Sequence, residues 1–216
     1  MSRAALAPVL LVVLALLAVG VVGPRTQARV AAATAPALPA REAGLRFAAG
    51  THPLDQQAVL AAIARAQPEA RRLIDVVDGA VTIEVGPADA ANAAGVAHIR
   101  GGEARVVLDL GVISRRFGER GVTRLVLHEL AHVVDHLLVP DDTAAALDAA
   151  VPQGYGCAAG DRDPSCAGRS DREERFAESF AKWAVGDIGM DLDFGYRVPP
   201  PTSLTTWGAP MSSLSG

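Results

Sequence analysis

Residues 125–140 read Leu125-Val126-Leu127-His128-Glu129-Leu130-Ala131-His132-Val133-Val134-Asp135-His136-Leu137-Leu138-Val139-Pro140. The apolar spacing predicts a helix from Val122 to Val139, closed by Pro140. At about 100° per residue, Asp135, His128, His132, His136 and Glu129 share an arc of about 120°. Val126, Leu127, Leu130, Ala131, Val133, Val134, Leu137 and Leu138 fill the rest of the circumference. A helix so apolar must bury most of its surface, and unpaired charge is costly to bury. An ionisable stripe along it therefore points to a shared task.

The task is legible in the spacing. His128 and His132 stand at i and i+4, so both imidazoles can reach one ion. Glu129 lies beside them and can touch a water without taking a coordination position. This HExxH pattern is the one by which a helix presents two zinc-binding histidines and a general base. Asp135, three residues after His132, is a candidate to orient a ligand histidine from behind. A catalytic zinc takes a third protein ligand and keeps one position open. His136 is too far along the helix to supply it, about 12 Å from His128. Val133 to Val139 has no glycine to break the helix and no later histidine, which excludes the metzincin arrangement. His52 lies far upstream, and His98 reads as a surface residue of a hairpin.

The third ligand is better sought on a second helix. Ser170-Asp171-Arg172-Glu173 is a capping-box pattern, opening a helix that runs to about Val185 and stops at Gly186. Phe176, Ala177, Phe180, Ala181, Trp183 and Ala184 form its expected buried face, with Arg172, Arg175, Ser179 and Lys182 toward water. Glu174 and Glu178, at i and i+4, sit at the boundary. One could reach a metal while the other braces a histidine. A surface acidic pair near a helix N-terminus would look the same, and Glu173 is a third acidic candidate.

Together, His128-Glu129-Leu130-Ala131-His132-Val133-Val134-Asp135 and Glu174-Arg175-Phe176-Ala177-Glu178-Ser179-Phe180 resemble the gluzincin metallopeptidases. They are most similar to the catalytic domain of anthrax lethal factor and related secreted bacterial peptidases. The resemblance implies an α+β, zincin-like fold: a small twisted sheet with an antiparallel edge hairpin packed on the HExxH helix, the remainder mainly helical. It implies one zinc ion held by His128, His132 and Glu174, with Glu178 behind a ligand and Glu129 as general base. It also implies a peptide or protein substrate. The family places a tyrosine shortly before the ligand glutamate, as a donor to the reacting oxygen. Residues 163–171 contain none, and Tyr155 and Tyr196 are the only tyrosines in the chain.

Outward from the two helices, Leu54 to Ala66 and Glu69 to Val77 read as helices and Val81 to Val85 as a strand. Gly95 to Ile99 and Ala104 to Asp109 read as a hairpin joined at Arg100-Gly101-Gly102-Glu103. After Gly186 the chain reads as loop. Residues 51–216 form one expected domain, preceded by a flexible Ala/Pro/Thr-rich linker at 29–50. Ala4 to Val22 is an almost unbroken apolar run after Arg3, so 1–28 reads as a signal peptide, with Thr26-Gln27-Ala28 at the cleavage site, or as an N-terminal membrane anchor. Either predicts export, to the cell surface or the extracellular space. Exported chains favour pairing Cys157 with Cys166, although two buried thiols or a metal pair remain open. The chain carries 20 basic and 24 acidic residues, a formal net charge of −4. With no basic cluster interleaved with aromatics, this balance argues against nucleic acid. Two functional classes follow: an exported zinc metallopeptidase, or a zinc-stabilised extracellular binding domain without turnover.

Overall fold

The computed structural model of the protein describes residues 44–88, 93–152, 172–189 and 198–214. Two glycines organise the sheet. Gly101 and Gly102 have φ of 58° and 82°, the sign that a two-residue type I′ turn needs at both central positions. They join strand β3 (Gly95–Arg100) to strand β4 (Glu103–Leu108), with Arg100 opposite Glu103 and Gly95 opposite Leu108. Strand β2 (Val81–Val85) runs parallel to β4 on its other side, and strand β1 (Arg46–Phe47) runs parallel to β2. The sheet is mixed, in the order β1-β2-β4-β3, so β3 is an outer strand among the described residues. Val81, Ile83, Val106 and Leu108 are fully buried and share one core with Leu73, Ile74, Val126, Leu127, Leu130 and Val134.

Helices supply the rest. Helices α1 (Pro53–Ala64) and α2 (Pro68–Val77) precede β2, each with proline in its first turn. The motif lies on helix α3 (Leu110–Leu138), followed by α4 (Asp141–Ala149), α5 (Arg172–Val185) and the short α6 (Leu204–Gly208). The architecture is mainly helical with one small mixed sheet, compatible with the α+β class expected. Among the described residues no helix is long and apolar enough to cross a membrane. The apolar run at 4–22, most of the linker, Ser170, Asp171, both cysteines and both tyrosines lie outside the described residues.

Several expectations need correction. A helical stretch that was not expected opens α3 at Leu110, directly after β4, where the Asp109 carboxylate accepts a hydrogen bond from the Val112 amide at 2.9 Å; the stretch that carries the motif starts after the break at Gly118, a few residues before the expected Val122. Helix α3 kinks at Gly118, whose φ of 62° and ψ of −154° fall in a region open essentially only to glycine. Arg46 and Phe47, which fall within the segment expected as linker, pair with Thr82 and Ile83 in the sheet. Residues 204–213, expected to be loop, form α6 and a 3-10 turn (Ala209–Ser213) that buries Trp207 and Met211.

The largest correction concerns the outer face of α5. Arg175, Ser179 and Lys182 do not face water; each is buried. The Arg175 guanidinium pairs with Asp148 of α4, and the Lys182 ammonium donates to the Val198 carbonyl at 3.3 Å. Helix α4 and the segment beginning at Val198 thus supply polar partners on the face expected to be solvated. The result is an α5 buried from Arg175 to Ala184, whose aromatic side Phe176–Phe180–Trp183 packs on Trp207.

The kink gives a stability prediction. Gly118→Ala should lower the unfolding free energy by about 1–3 kcal/mol, because alanine cannot hold that conformation without strain. Urea unfolding measures it; an unchanged midpoint would mean the helix runs straight through this position.

Candidate metal centre

Helices α3 and α5 meet at the histidines. His128 Nε2 lies 3.1 Å from one oxygen of the Glu174 carboxylate, and His132 Nε2 lies 3.7 Å from the other. The two rings are edge-on, with centroids 5.0 Å apart and planes at 81°. One donor atom from each of His128, His132 and Glu174 falls within 4.8 Å of the other two. A four-coordinate ion with bonds of about 2.0–2.2 Å separates its ligands by about 3.3–3.5 Å. The carboxylate–imidazole distances bracket that range, so these three residues could hold one metal ion.

Behind His128 stands a second carboxylate. Glu178 lies 3.5 Å from His128 Nδ1, on the side of the ring away from Glu174. A carboxylate there fixes the ring and its tautomer, leaving Nε2 for a metal. Glu178 is itself held by Arg124, whose Nε donates to it at 3.1 Å while a second guanidinium nitrogen donates to the other oxygen. Lys182, one turn further along α5, lies 3.5 Å away. Sequence reasoning missed Arg124 and Lys182. The signal for Arg124 was present, since it lies one turn before His128 on the same ionisable stripe of an apolar helix.

Protonation follows from this arrangement. Burial pushes His128 down, but hydrogen bonds to Glu174 and Glu178 and the charges of Glu174 and Glu129 push it up to about 10. Burial and the neighbouring His128 push His132 down to about 4, against the pull of Glu174, so it is neutral at physiological pH. Burial, opposed by His128 and aided by Glu174, pushes Glu129 up to about 7. Among the described residues none hydrogen-bonds to the Glu129 carboxylate. It lies instead against Gly95, the first residue of β3.

The other sequence candidates are dispersed. Asp135 is buried, and its carboxylate accepts from Arg172 at 2.8 Å across the α3–α5 contact. His136 and Glu173 are exposed. His52 caps α1, accepting from the Leu54 amide at 3.2 Å, and His98 lies exposed on β3. A shallow cavity of about 270 Å³ beside the Gly118 kink shares no residue with the metal centre, and its guanidinium, from Arg65, is already paired with Glu119. No family model, curated protein or solved structure matches the chain.

Metal affinity should depend on pH in a defined direction. Held between two carboxylates, His128 keeps its proton up to about pH 10, and a metal must displace that proton. Affinity should therefore rise with pH through the neutral range, by about tenfold per unit. Glu174→Ala should abolish tight binding, whereas Glu178→Ala should weaken it by about 10–100-fold. Calorimetric metal titrations at several pH values check all three. Retained tight binding in Glu174→Ala with loss in Glu178→Ala would reverse the two roles.

Proposed function

We propose that the protein is an exported zinc-dependent metallopeptidase of the gluzincin kind, hydrolysing peptide bonds with Glu129 as general base. The observation that carries this reading is the convergence of His128, His132 and Glu174 from two helices, with the Glu129 carboxylate, to which no described residue hydrogen-bonds, beside them. Two imidazoles and a carboxylate are a donor set that suits zinc. The α+β architecture, with an antiparallel hairpin next to the motif helix, is compatible with a zincin-like fold. The apolar run at 4–22 supports export.

When bound, zinc supplies a Lewis acid that acidifies water and polarises a carbonyl. The chain's own residues do the rest. His132 presents a neutral ring, His128 becomes neutral when a metal displaces its proton, and Glu178 with Arg124 fixes the His128 ring. Glu129, nearly dry and with its carboxyl near neutrality, accepts a proton from the attacking water. The water oxygen bonds to the carbonyl carbon, the C–N bond breaks, and Glu129 returns the proton to the departing amine. Strand β3, outermost of the sheet among the described residues, begins at Gly95, against Glu129. An extended peptide paired along β3 would pass beside the metal.

Glu129→Gln provides the test. The variant should retain one zinc per chain while cleavage of casein or a peptide library falls by about 10²–10⁴-fold. Stoichiometric zinc in a wild type that cleaves nothing would favour a zinc-stabilised binding domain instead.

A further inference from the structure

We infer that Gly95 is the positioning residue for Glu129: the bare Cα at the start of β3 is what lets this carboxylate lie beside the metal ligands. A Cβ built at Gly95 would stand 2.6 Å from Glu129 Oε1, 2.8 Å from its Cδ and 2.8 Å from its Cγ. Contacts under 3.0 Å are essentially never made by real Cβ atoms. Because Cγ is among the three, turning the carboxylate about its last bond does not relieve the overlap. The whole side chain must take another rotamer.

Strand β3 cannot back away instead. Gly95 is paired opposite Leu108, and the Ala94 carbonyl accepts from the Asp109 amide at 2.8 Å. Asp109 in turn caps the start of α3. The beginning of β3, the end of β4 and the beginning of the motif-bearing helix are thus tied together by backbone and cap. Gly95 is not among the glycines with positive φ, so alanine is free to adopt its backbone conformation. In a strand, removing a glycine ordinarily stabilises the chain by reducing its unfolded-state freedom. The flexible partner in this contact is Glu129, and a methyl group at position 95 displaces the base rather than the fold.

The catalytic consequence rests on the peptidase reading above; the contact itself does not. Gly95→Ala should keep one zinc per chain, since the three atoms nearest the new Cβ all belong to Glu129 and none to a ligand. Its kcat should fall by about a hundredfold with little change in KM, the effect of misplacing a catalytic group by about 1 Å. A cycle of urea midpoints on metal-free protein gives a readout independent of turnover. Gly95→Ala should lower the midpoint when Glu129 is present, and leave it unchanged or raised in the Glu129→Ala background. Glu129→Asp, one methylene shorter, should relieve most of the effect and serves if Glu129→Ala folds poorly. Equal shifts in both backgrounds, or wild-type kcat at full zinc occupancy, would overturn the inference. If the wild type cleaves no peptide, the peptidase reading falls and the urea cycle alone decides the role of Gly95, coupling supporting it and additivity refuting it.

Discussion

One buried carboxylate joins the two halves of the site. Glu178 is almost wholly enclosed and bonds Arg124 of α3, Lys182 of its own helix and the back of the His128 ring. Burial by itself would raise its carboxyl; the His128 hydrogen bond and the charges of Arg124 and Lys182 outweigh that and hold it below the usual range. Removing one partner from such a buried pair typically costs about 3–5 kcal/mol, because the other charge is left uncompensated. The register of α5 on α3 is thereby constrained, and with it the position of Glu174, one turn earlier on α5. A helix slip of one residue would turn Glu174 away from both histidines by about 100°.

The remaining ties between the helices reinforce the same register. Arg172 reaches Asp135 near the C-terminal end of α3, and Arg120 reaches Asp187 beyond the end of α5. These pairs are partly exposed and individually worth little, but they flank the buried Arg124–Glu178 pair on either side. Helix α4 contributes Asp148 to Arg175 from the opposite flank. On the sheet side, β3 closes against Glu129 at the one residue without a side chain. His128, His132, Glu174 and Glu129 are thus positioned from two directions, by ion pairs across the helices and by steric contact with the sheet.

What the sequence made legible was local. The His128–Glu129–His132 stripe follows from helical geometry alone, and the Gly101-Gly102 hairpin from turn chemistry. Glu174 and Glu178 could be chosen as a pair from their spacing, but their order rested on resemblance; it is the tertiary geometry that sets Glu174 against two ring nitrogens and Glu178 against one. The burial of Arg175 and Lys182 was hidden because their polar partners come from α4 and from Val198, distant in sequence. Gly118 and Gly95 were hidden for a related reason. A glycine in a helix or at a strand end marks an unusual backbone or a close approach, but not which group approaches.

The central claim is that a single metal ion lies between α3 and α5, held by two imidazoles and one carboxylate. Zinc K-edge X-ray absorption on the protein carrying one zinc per chain tests it most directly. The account predicts a first shell of nitrogen and oxygen alone at about 2.0–2.2 Å, with the multiple-scattering pattern of two imidazoles. Sulfur scattering at about 2.3 Å would assign the metal to Cys157 and Cys166 and contradict it.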